Sequence, residues 1–173
     1  QLIALATLMP GYETDYYSRP PVAEQICIGR IASHEKTDEG KYNLLLVGIR
    51  RAQIRSEVTP VRSFRRANVQ IIDECLTETG DHGVDALGRD LARCLVTSLP
   101  AAKELVDEFL KGNVSLGTLT DIVAFHFPFS VDFKLTLLAE PAAVLRAKSL
   151  LQKLPRPTQK KPQGPETPDF SDN

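Results

Sequence analysis

The sequence has no tryptophan, a single methionine, and only three cysteines in 173 residues. Those cysteines, Cys27, Cys75 and Cys94, are odd in number, far apart and each set in an apolar run. They read as buried thiols rather than as a disulfide framework or a zinc site. An excess of charge of one sign is also missing. Lys and Arg number 21 against 22 Asp and Glu, a formal net charge of -1. No bulk field therefore draws the chain to nucleic acid or to an anionic membrane, and such a partner would need a local patch. No apolar run reaches the ~18 residues of a membrane span. The N-terminus lacks the basic region of a signal peptide, so the default expectation is cytoplasmic, with no membrane partner.

Catalytic signatures are equally scarce. There is no Gly-x-x-x-x-Gly-Lys-Ser/Thr loop to cradle a nucleotide triphosphate and no Gly-x-Ser-x-Gly elbow. Lys148 and Ser149 are consecutive on an expected helix and project about 100° apart, the wrong geometry for a base and its nucleophile. His34, His82 and His126 have no partner at metal-ligand spacing. Cys27 sits in an apolar strand, where a thiolate is disfavoured. The sequence therefore predicts a protein that is not an enzyme and has no cofactor, no metal and no catalytic residue.

What is present divides into strands followed by helices, an α+β order. At 173 residues and 42% hydrophobic, the chain is long enough to bury a real core, removing roughly 70% of the unfolded surface. Its centre is a predicted hairpin, Ile26 to Ala32 and Tyr42 to Ile49, turned at Asp38-Glu39-Gly40. Both alternating sets of the second run are apolar, so that strand is expected to be covered on both sides, as the wall of a small barrel or sandwich. Gly29 and Gly48 inside the strands predict a close approach or a bulge. Leu2 to Leu8 is a further strand, and Phe64 to Glu74 another with one wet face. Between the first strand and the hairpin, Tyr12, Tyr16 and Tyr17 lie on a polar loop. They either lid the barrel or form a contact surface.

The glycine-bearing link Thr77 to Gly83 marks the change to helical periodicity. Leu87 to Leu99 predicts one helix. A second runs from Ala101 to a cap at Gly112, and a third is capped by Ser115 and stopped by Pro128. A short helical turn is expected around Asp132 to Leu138, then a last helix with Pro141 at its first position. The expected units are residues 1–76, 84–154 and a tail, 155–173, that carries five of the 12 prolines and is expected to be disordered.

Cys27-x-Gly29-Arg30-Ile31-x-x-His34-Glu35, followed by Glu39-Gly40-x-Tyr42-Asn43-Leu44-Leu45-Leu46-x-Gly48-x-Arg50-Arg51, resembles the Lon N-terminal domain. That family is the substrate-recognition part of the ATP-dependent protease Lon, and it usually has Asp where this chain has Glu39. The helical half is similar as well, in Leu119-x-Asp121-x-Val123-Ala124, Lys134-x-x-Leu137-Leu138-x-Glu140, Val144-Leu145-Arg146 and Leu150-Leu151. The resemblance implies a PUA-like β pseudo-barrel followed by a C-terminal α-helical bundle. Family members begin with additional strands and a helix, so the chain is expected to lack N-terminal strands. The ATPase and Ser-Lys protease domains are not in the sequence, which implies a free-standing Lon-like domain.

The expected function is noncatalytic recognition of unfolded or partner polypeptide, with a separate ATP-dependent protease as a further partner. The candidate binding residues are Tyr12, Tyr16, Tyr17, Arg30, Glu35, Tyr42 and Arg51. Arg30, Glu35 and Arg51 either form an ion-pair network or meet a partner's backbone. The alternative is RNA binding through the arginines between Arg50 and Arg66, for which Phe64 is the sole aromatic available to stack a base.

Overall fold

In a computed structural model, residues 2–59, 63–75 and 81–155 are described, without the side chains of 81–83. The Pro-rich tail beyond 155, the link at 76–80 and Arg62 lie outside them. Four strands, β1 (Leu2–Leu8), β2 (Val22–Lys36), β3 (Tyr42–Glu57) and β4 (Ala67–Ile72), form one antiparallel meander in the order β1-β2-β3-β4. Five helices follow: α1 (Asp81–Ser98), α2 (Lys103–Leu110), α3 (Leu116–His126), α4 (Val131–Ala139) and α5 (Ala143–Lys153). None of the described helices is long and apolar enough to cross a membrane.

The hairpin forms where the turn residues put it. Gly40 takes φ 75°, a left-handed conformation open to glycine at no steric cost, and the backbone N–H of Thr37 closes the turn on the Lys41 carbonyl at 2.8 Å. Both strands run well past the apolar stretches that announce them. Gly29 and Gly48 face each other across β2 and β3 beside a register shift. A Cβ at Gly29 would stand 3.3 Å from the Val47 carbonyl oxygen, so a bulge and a close approach coincide there.

The expected covering of Tyr42 to Ile49 on both sides is not found. Among its apolar residues only Leu46 is partly buried, and Leu45 is 61% exposed. On β4 the predicted inward residues Ala67, Val69 and Ile71 are exposed too. Apolar burial in the sheet is complete only near its middle, at Ile26 and Ala52, which pair across β2 and β3.

The helical half is packed far more completely. Leu91 and Leu95 of α1, Leu119 and Val123 of α3, and Ala147 and Leu150 of α5 are fully buried in one cluster. At roughly 1.5–3 kcal/mol for each buried large aliphatic side chain, this cluster is the main apolar contribution to the fold. Ser115 caps α3 as its sequence predicts, its Oγ accepting from the Thr118 N–H at 3.1 Å. Gly112, at φ 82°, ends the second helix.

Two helical expectations change. The turn foreseen around Asp132 to Leu138 is a full helix, α4, because Ser130 supplies its own N-cap to the Phe133 N–H. Pro141 lies before the N-cap of α5, Ala142, rather than at the first helical position. Its carbonyl instead accepts from the Cys75 N–H at 3.2 Å, tying the strand segment to the last helix. Cys75 is accordingly exposed, not buried, while Cys27 and Cys94 are partly buried.

Candidate functional site

A cleft of about 840 Å³ opens between the sheet and the helices, within the size range of binding pockets, about 300–1,000 Å³. The register sets its floor, because Cys27, Arg51 and Ile72 are direct neighbours across β2, β3 and β4 and so point to one face. Helical spacing sets its walls. On α3, Gly117, Asp121, Ala124 and Phe125 line the cleft while Leu119 and Val123 turn into the bundle. On α4, Lys134, Leu137 and Leu138 do the same at i, i+3 and i+4.

Two arginines organise the cleft. Arg51 of β3 pairs with Asp121 of α3 and donates to the Leu137 carbonyl of α4 at 3.4 Å, which fastens the sheet to two helices. Arg146 of α5 is only 2% exposed, and an uncompensated charge so placed would be costly. It is compensated on every side. Its Nη2 meets Glu74 Oε1 at 2.5 Å, its Nη1 donates to the Glu140 and Pro141 carbonyls at 2.9 and 3.1 Å, and its Nε donates to Thr120 Oγ1 at 3.3 Å.

The Glu74 carboxylate occupies the space that a Cβ at Gly117 would take, so any other residue there would push it aside. Burial raises the Cys27 thiol above its ordinary range, opposed in part by Arg51. This sulfur is no activated nucleophile. Two side chains of the lining stand outside this network. Lys134, half-buried as a residue, has no ion-pair or side-chain hydrogen-bond partner among the described residues, and Phe125 is 86% exposed at the rim.

The candidate binding residues do not form one surface. Tyr12, Tyr16 and Tyr17 meet in series, tilted and then edge-to-face, with ring centroids 6.2 and 5.4 Å apart, on the loop that precedes β2. Tyr17 is 99% exposed, so the tyrosines do not lid the sheet. Glu35 and Tyr42 sit at the other end of β2, beside the hairpin turn. At about 3.3 Å per residue, the length of β2 between them is at most on the order of 45 Å. Arg30, opposite Val47, and Glu35 make no ion pair with each other among the described residues, and Arg51 serves the cleft. The expected Arg30–Glu35–Arg51 network is therefore absent there.

Nor do Arg50, Arg51, Arg55 and Arg65 converge. Arg55 bonds Gln70, and Arg65 bonds Glu57 and the Pro20 carbonyl, while Arg50 turns back to the Ile49 carbonyl. Glu57, held below the usual carboxylate range chiefly by Arg65, also pairs with Arg19 at 3.0 Å and so pins the tyrosine loop to β3.

Sequence reasoning missed the cleft as a site, although Asp121, Lys134 and Arg146 all lie in the helical segments that carry the family resemblance. A charged residue inside an apolar helical repeat, as Arg146 is beside Val144, Ala147 and Leu150, was the available signal. Glu74 and Gly117 gave none, because their pairing joins residues 43 positions apart only after folding.

The family described as "ATP-dependent protease La (LON) substrate-binding domain" matches residues 6–156. No curated protein sequence matches the chain. Among solved structures, the N-terminal domain of Mycobacterium avium complex Lon protease is 18% identical with a TM-score of 0.60, the alignment covering 88% of each chain. A Lon N-terminal domain protein from Xanthomonas campestris is also 18% identical, with a TM-score of 0.51 over 90% of each chain. At this identity the two structures establish likeness of fold.

Proposed function

The chain belongs to the Lon substrate-binding domain family, and from that premise we propose that it is a noncatalytic recognition module for unfolded or partly unfolded polypeptide. One observation carries the reading: the sheet presents apolar side chains to solvent along its distal hairpin, Tyr42, Leu44, Leu45 and Val47 among them, while the main buried cluster lies among the helices. Scattered exposed apolar residues are ordinary, but a run of them on one projecting element is what a loosely specified chain can engage. The row of tyrosines at the opposite end of β2 offers a second contact. A polypeptide long enough to touch both would bind by several weak contacts, each tolerant of sequence.

In this reading the bound polypeptide is handed to an ATP-dependent protease on a separate chain. RNA binding is not favoured, because the described arginines of the expected patch are spent on separate protein partners. The test is fluorescence anisotropy of the protein against labelled, reduced and carboxymethylated lysozyme and against a labelled structured RNA, each at two salt concentrations. The reading predicts saturable polypeptide binding that persists at the higher salt. Salt-sensitive RNA binding without a polypeptide signal contradicts it.

A further inference from the structure

We propose that the cleft between the sheet and α3/α4 is a binding site for a carboxylate on an extended peptide segment, with Lys134 as its counter-ion and Phe125 as the platform for an adjoining apolar side chain. This rests on the polypeptide-binding reading and states what chemistry the segment should carry. The charges of the cleft support it. Arg51 is neutralised by Asp121, and Arg146 by Glu74, so neither is available to a ligand without breaking the joint between sheet and helices, and Arg50, the exposed arginine of the lining, folds back on the Ile49 carbonyl. Lys134 differs. It lines the same cleft, is half-buried, and has no partner among the described residues.

A lysine whose side chain lies within a cleft gains more from an arriving anion than one on an open surface, where water screens the pair. The neighbouring surface is apolar, from Ile72, Leu137 and Leu138, and Phe125 projects almost entirely into solvent at the edge. The combination fits an acidic residue next to an apolar one better than it fits either alone. Asp73 also lines the cleft and would repel an anion placed against the sheet end, which leaves the α4 side for the carboxylate.

The experiment uses the full chain and four fluorescein-labelled dodecapeptides of one Leu/Ala/Ser background. Three are C-terminally amidated, with Glu, Gln or Lys at the centre, and the fourth is the Gln peptide with a free C-terminus. The expected result is about tenfold tighter binding of a carboxylate-bearing peptide than of the amidated Gln peptide, the scale of one charge-assisted contact. Preference for the Glu peptide identifies a side-chain carboxylate, and preference for the free acid a terminal one. Lys134→Gln should abolish the preference while leaving the weaker Gln-peptide binding in place, and Lys134→Glu should transfer it to the Lys peptide. Phe125→Ala, at an exposed position that leaves the fold intact, should weaken all four.

Equal binding of the amidated Gln, Glu and free-acid peptides overturns the carboxylate site and leaves polypeptide recognition standing, as does a preference that survives Lys134→Gln. Failure of all four peptides together with carboxymethylated lysozyme overturns both readings.

Discussion

The two halves of this protein treat apolar residues in opposite ways. In the bundle, the core-facing leucines and valines are removed from water almost completely. In the sheet, residues of the same kind at strand spacing remain largely in contact with it. The difference shows that apolar pattern and apolar burial are separate properties, and that here the first is shared while the second is concentrated in the helices. It assigns most of the apolar stability to the bundle and, in the proposed reading, leaves the sheet surface for recognition, with the Arg51 and Arg146 clusters joining the two.

The largest effect that can break this contrast is a core truncation. Leu119→Ala should cost about 2–5 kcal/mol in urea unfolding, the usual range for a leucine removed from a packed core. The same truncation at Leu45 should stay within about 0.5 kcal/mol. Comparable losses at the two sites would mean that the sheet surface is covered in solution.

The joint comes next. Arg146→Leu should cost about 2–4 kcal/mol, since it strands the Glu140 and Pro141 carbonyls and releases Glu74. Gly117→Ala should lose stability by displacing Glu74, yet cost nothing further in a Glu74→Ala background. There the better helix propensity of alanine, worth up to about 1 kcal/mol, can even return some stability. Additive losses in that double-mutant cycle would show that the Gly117–Glu74 contact does not form.

Local capping is smaller again. Ser115→Ala should cost about 1 kcal/mol, read as a shift in urea midpoint with an unchanged slope.

The cysteines sharpen the contrast at the level of reactivity. A thiol whose folded pKa lies above its ordinary value favours the folded state below the unfolded pKa, and this contribution fades as pH rises toward the folded value. Cys27 should therefore react with a disulfide reagent more slowly than exposed Cys75 at pH 8, and its rate should still be climbing above pH 9. Equal rates would place Cys27 outside the cleft.

Much of this organisation is legible in the sequence, for reasons that are local. Gly40 and its neighbours specify the hairpin turn, Ser115 its helix start, and the leucine spacing the inward faces of α1 and α3. What is not legible depends on distant partners. The apolar alternation of Tyr42 to Ile49 marks a strand but cannot say whether anything lies over it. The tyrosine loop and the hairpin turn look like one surface in a short stretch of sequence and are separated by the full length of β2. Arg146 stands out as a charge in an apolar repeat, but nothing in the sequence names Glu74 as its partner. The cleft and its Lys134 exist only once β3, α3 and α4 are brought together.

The most direct test of the central claim is backbone hydrogen–deuterium exchange of the full chain, with and without saturating carboxymethylated lysozyme. Protection gained along residues 42–51, with the buried faces of α1, α3 and α5 unchanged, is the predicted result. Unchanged exchange throughout the sheet and cleft, with protection gained only on the outer surface of the bundle, would contradict it.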